Sequence, residues 1–146
     1  MRDSSYYNKE GYPIPTHYYA EKNIEAEEKA RLDRLPAFRP VVYICSPLRG
    51  DVQKNMRNAR RYCRFAVKKG YLPIAPHLLF PQFLDDSDAD EREIGIHMGM
   101  VLLSKCVEIW VFGEKITEGM KREIKRAIWR GMPVKYFTDE MEEKNG

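Results

Sequence analysis

The chain of 146 residues has only three cysteines, Cys45, Cys63 and Cys106, and no CxxC pair. An odd, widely spaced set argues against a disulfide framework and against a zinc site, so each reads as a buried thiol in a reducing compartment. No apolar run reaches the roughly 18 residues of a membrane span. The first residues, Met1-Arg2-Asp3-Ser4-Ser5-Tyr6-Tyr7, lack a signal-peptide apolar core. A cytoplasmic protein without membrane contact is therefore expected. No GxGxxG or GxxxxGKS/T is present, which disfavours classical dinucleotide and P-loop sites. There is also no Ser-His-Asp order and no nucleophile elbow. Asp85, Asp86, Asp88 and Asp90 lack the glycine and the terminal glutamate of an EF-hand loop, and helix capping accounts for them. Neither a metal nor an organic cofactor is expected. A net charge of +3 is too modest to argue for a nucleic-acid binder.

What is present falls into three parts. Residues 1–40 form a tyrosine-rich arm, with Tyr6, Tyr7, Tyr12, Tyr18 and Tyr19 near its start and a weakly amphipathic helix over about Glu21–Leu35. Residues 41–138 form the regular domain, and residues 139–146 read as a charged tail. Within the domain, Val41–Cys45 is a buried strand and Ser46–Asp51 a turn. A helix follows over about Val52–Lys69, its buried face marked by Val52, Met56, Ala59, Cys63, Ala66 and Val67. Its outer face is basic and acid-free, as a solvated face would be. Tyr71–Ala75 is a short strand and Pro76–Asp86 a loop. A helix capped by Ser87 or Asp88, with Asp90 or Glu91 as capping-box partner, runs to about Lys105. A strand over Val107–Phe112, a helix over Glu118–Arg130 and a strand over Pro133–Phe137 complete the pattern. Strictly alternating strands and helices with short links predict an α/β fold: a three-layer sandwich around a parallel, Rossmann-like (flavodoxin-like) sheet of four to five strands.

The residues with chemical potential lie past strand ends, where open α/β sheets bind ligands. Glu123 stands one turn after Gly119 and one turn before Ala127, so small residues leave room beside its carboxylate. The position also suits an ordinary first-turn glutamate favoured by the helix dipole, and spacing alone leaves both readings open. The turn Ser46-Pro47-Leu48-Arg49-Gly50-Asp51 can present backbone N–H groups and the Arg49 fork to a phosphate or sugar, or it is a plain tight turn. The apolar segment Ala75–Leu84 suits either an aromatic wall for a nucleobase, with His77 or Gln82 donating a hydrogen bond, or a cover for the sheet. Arg92 and Glu93 face the site or the surface, and His97 reads as a structural histidine.

Together these residues resemble the nucleoside 2-deoxyribosyltransferase-like superfamily, within it a branch of small bacterial and phage proteins. The resemblance covers about Val41–Phe137 and rests on Tyr43-Ile44-Cys45-Ser46-Pro47, on Gly119, Glu123 and Ala127, and on Gly131-Met132-Pro133-Val134. It implies an N-glycosidic-bond hydrolase or 2-deoxyribosyltransferase acting on a nucleoside or nucleoside 5′-phosphate. Glu123 would be its nucleophile and Tyr43 would orient it or the sugar. Ser46, Pro47, Arg49, Gly50, His77, Thr117, Gly119 and Met120 would line the substrate site. It also implies a homodimer or larger homo-oligomer. Two departures stand out. Thr117 occupies a position where many members carry an acid, and no aspartate lies around Met98–Met100. The acid that serves the leaving base would then be Asp85, Asp86, Glu93 or His97. A nucleotide-binding or sensing protein without turnover is the alternative.

Overall fold

The computed structural model describes residues 16–33 and 38–145, and the chain divides into two units at Phe38 and Arg39. In the first unit a helix, α1, spans Thr16–Asp33. The tyrosines at positions 6, 7 and 12 lie outside the described residues.

The second unit holds a five-stranded sheet: β1 (Val41–Cys45), β2 (Leu72–Ile74), β3 (Glu108–Phe112), β4 (Val134–Phe137) and β5 (Glu143–Lys144). Its order is β2-β1-β3-β4-β5. The first four strands are parallel and β5 is antiparallel to β4. The connecting helices are α2 (Val52–Lys68), α3 (Pro76–Leu79), α4 (Ala89–Ser104) and α5 (Glu118–Trp129), with a 3-10 turn at Phe80–Gln82. Successive side chains of a strand point to opposite faces. Val42, Ile44, Trp110 and Phe112 therefore join Tyr62 and Ala66 of α2 in one core. Tyr43, Cys45, Ile109 and Val111 join Leu103 of α4 and Met120 and Ala127 of α5 in the other. These are the three layers expected from the alternating pattern.

Some expectations change. Segment 76–86 is not a plain loop. Pro76, whose fixed φ suits a first helical position, starts α3, and the 3-10 turn follows. On α2, Val52 and Val67 are 46% exposed, and the aromatic Tyr62, stacked on Phe112 at 4.2 Å, takes the buried position instead. Asp88 caps α4 through Asp90 and Glu91 N–H groups, but no capping box forms, because the Asp85 carbonyl already accepts the Asp88 N–H at 3.1 Å. The charged tail is not free. It turns back as β5, with Lys144 Nζ donating to the Gly113 carbonyl at 3.1 Å and pairing with Glu114 at 3.7 Å. Lysine and glutamate suit an exposed edge strand.

Helix α5 ends as its sequence predicts. Gly131 adopts φ 72°, and Met132 N–H bonds to the Ala127 carbonyl at 2.9 Å across the last turn.

Candidate active site

Thr117 starts α5 by accepting the Met120 N–H on its hydroxyl at 3.3 Å. This cap explains a threonine where an acid was looked for. The capped helix puts Met120, Glu123, Ile124 and Ala127 on one stripe, at spacings of three and four residues. Met120 and Ala127 are buried, and Ile124 packs against the same core. Glu123 thus occupies a core-facing position. The first-turn acid is Glu118, one residue into the helix and paired with Lys121 at 3.2 Å. The dipole reading of Glu123 does not hold, because it belongs to the second turn.

Tyr43 and Cys45 share the face of β1 that meets α5, and both side chains lie beside the Glu123 carboxylate and interact with it. Glu123 as a residue keeps partial exposure through the cavity beside it, while its carboxyl end is desolvated. That desolvation raises its pKa; the interactions with Cys45 and Tyr43 and the charge of Arg122 oppose the rise without cancelling it. Burial, then the neighbouring Glu123, raises the pKa of both Tyr43 and Cys45, so each remains a protonated donor. The Cys45 thiol also lies 3.9 Å from the Met120 carbonyl.

A cavity of about 330 Å³ opens beside Glu123. Of the residues predicted for the site, Tyr43, Ser46, Arg49, His77, Thr117, Gly119, Met120 and Glu123 line it. Pro47 and Gly50 do not. Gly50, at φ 98°, shapes the turn instead. His77 Nε2 sits 3.0 Å from Ser46 Oγ, and burial lowers its pKa to about 4, so the ring is neutral at physiological pH. Gln82 is exposed and lies outside the lining. Leu79 and Phe83 are exposed and do not cover the sheet, whereas Phe80 and Leu84 form an apolar wall of the cavity.

The acids near this wall are Asp86, which meets Arg49 at 3.6 Å, and Glu91. Asp85 is absorbed in a turn with Ser87 at 2.6 Å, and Glu93 and His97 lie outside the lining. Arg122 and Gly99 carry no site signal in the sequence, and Glu91 reads there only as a capping-box partner. Glu91 is one turn from the Asp88 cap. Gly99 leaves the space next to Tyr43: a methyl group built there would meet the Tyr43 hydroxyl at 3.6 Å. Among the described residues no cluster could hold a metal ion, and no helix is long and apolar enough to cross a membrane.

This architecture is the deoxyribosyltransferase fold. The 2-deoxyribosyltransferase of Bacillus psychrosaccharolyticus matches with a TM-score of 0.54 at 17% identity, over 72% of this chain and 77% of that one. The 2-deoxyribosyltransferase from Leishmania mexicana matches with a TM-score of 0.46 at 15% identity, over 73% and 79% of the two chains. No curated protein matches the sequence. Residues 40–137 match the family described as Domain of unknown function (DUF7768), and the chain belongs to that family.

Proposed function

We propose that the protein breaks or exchanges the N-glycosidic bond of a nucleoside or nucleoside 5′-phosphate, with Glu123 as nucleophile. One observation carries this reading. A desolvated carboxylate, with the protonated Tyr43 and Cys45 side chains beside it, borders a cavity of about 330 Å³. That volume lies in the range of small-ligand sites. A carboxyl group on a core-facing stripe is unfavourable for folding, and an acid whose pKa is raised by burial in a cleft is a functional-site candidate. A solved enzyme of the same fold carries the name 2-deoxyribosyltransferase, which supplies the direction of the chemistry.

In the first step a Glu123 carboxylate oxygen bonds to the sugar C1′ as the bond from C1′ to the base nitrogen breaks. The electron pair leaves on the base, which takes a proton from Asp86 or Glu91, the acids beside the apolar wall. In the second step the carboxylate that protonated the base takes a proton from water, the water oxygen bonds to C1′, and the bond from C1′ to Glu123 breaks to release its carboxylate. A second base in place of water gives transfer instead of hydrolysis. Tyr43 and Cys45 fix the carboxylate's orientation, as in retaining glycosidases the nucleophile must be aimed at the anomeric carbon. Arg49, Arg92 and Arg122, all at the cavity, supply positive charge for a 5′-phosphate.

The test is chromatographic detection of free base from a panel of nucleosides and nucleoside 5′-phosphates. The native protein is expected to release base. Glu123→Gln is expected to reduce the rate at least about a thousandfold while retaining ligand binding. Ligand binding by both proteins with base release from neither would contradict the proposal and leave a nucleotide sensor.

A further inference from the structure

A second depression, of about 660 Å³, runs between α4 and α5. It meets the Glu123 cavity at Met100 and Arg122, which line both. Beyond Arg122 its α5 wall carries Lys125, Arg126 and Trp129, with Arg130 at the helix C-cap. From Arg122 to Trp129 this wall extends about 10 Å along the helix. No carboxylate lines the groove, and among the described residues no ion pair engages Lys125, Arg126 or Arg130. Trp129 is 71% exposed, with the Arg126 guanidinium 4.3 Å from its ring centre. A solvated helix face accounts for the lysine and arginines. It does not account for an indole in water, braced by a cation, at the end of a groove that begins at Arg122, the residue before the reactive glutamate.

We propose that the cavity and the groove form one extended site for a dinucleotide, two nucleosides joined through phosphate. One glycosidic bond lies at Glu123, the bridging phosphate at Arg122 and Arg126, and the second base against Trp129. Guanidinium groups suit phosphate oxygens, and an indole face stacks on any base. With no GxGxxG loop in the chain, the phosphate would be held by helix side chains rather than by a glycine-rich turn. This inference deepens the proposed function and rests on it.

The test measures binding to the Glu123→Gln protein, which prevents turnover. Its ligands are a nucleoside 5′-monophosphate, a phosphodiester-linked dinucleotide and a pyrophosphate-linked dinucleotide. At least one dinucleotide is expected to bind about tenfold tighter than the monophosphate, and which one identifies the bridge. The dinucleotide should also quench tryptophan fluorescence. The chain has two tryptophans, and with Trp110 only 3% exposed the quenched one is Trp129. Adding Trp129→Ala or Arg126→Ala should bring the ratio of the two affinities close to one. Equal affinities in the unaltered groove, or a ratio that survives both substitutions, would overturn the inference and leave the proposed function standing. A loss of self-association in Trp129→Ala would also overturn it, assigning the groove to a second copy of the chain. No binding by any of the three ligands would overturn both this inference and the nucleoside 5′-phosphate form of the reading on which it rests.

Discussion

Burial raises the pKa of Glu123 and lowers that of His77 to about 4, so the two residues tilt stability in opposite directions as pH changes. From the ordinary carboxyl value of 4.5 upward, folded Glu123 keeps a proton that the unfolded chain releases. Its contribution is therefore least unfavourable at low pH, worsens as pH rises through the folded pKa, and is constant above that. Glu123→Gln should consequently make the protein more stable than the native chain at pH 7, with the advantage fading towards pH 4.5. A native protein as stable as the variant at pH 7 would show that the carboxylate is not desolvated. His77 runs the other way. Its neutral form is favoured in the fold, so its contribution is complete above 6.5 and lost as pH falls towards about 4. At about 1.4 kcal/mol per unit, that interval is worth about 3 kcal/mol. Urea denaturation at a series of pH values should show this slope, and His77→Asn should remove it.

Elements explain why some of this was legible in the sequence and some was not. Glu123 was visible because α5 repeats: Gly119, Glu123 and Ala127 stand one turn apart, with basic residues between them. Its neighbour Cys45 reads from sequence only as a buried thiol, although strand alternation alone puts it on the face of Tyr43. Asp86 and Phe80 come from the stretch between β2 and α4, where no single periodicity says which way a side chain points, and Glu91 from the first turn of α4. Strand β5 is two charged residues long, with no apolar pattern to betray it. Gly99 belongs to α4 and tests the element directly. Replacing a helical glycine by alanine gains up to about 1 kcal/mol, and the added methyl would meet only ordinary contact with Tyr43 at 3.6 Å. Gly99→Ala should therefore raise or preserve the melting temperature. Gly99→Leu should instead fill the space beside Tyr43 and abolish nucleoside binding while the circular dichroism stays native. Unchanged binding in the leucine variant would contradict the placement of the nucleoside in the cavity that Gly99, Tyr43 and Glu123 line.

Across the whole molecule the two faces of the sheet divide the work. The α2 face is an aromatic layer, with Phe112 stacked on Tyr62 at 4.2 Å and on Phe137 at 4.9 Å. The α4–α5 face carries the cavity and its desolvated acid. Phe112→Ala should cost about 3–5 kcal/mol in denaturation experiments, yet calorimetry on the folded protein should find ligand affinity unchanged. A parallel loss of affinity would mean that the faces are coupled. The alternation of strands and helices made this architecture readable from sequence, because each strand's period assigns its residues to one layer or the other. The chemistry depends on a single acid of one layer. Its most direct test is intact-protein mass spectrometry after rapid acid quenching of the native protein with a panel of nucleosides and nucleotides. The account predicts a mass increase of one glycosyl unit, mapped to Glu123 and missing from Glu123→Gln. Base release with the adduct on another residue, or an identical adduct on the glutamine variant, would contradict it.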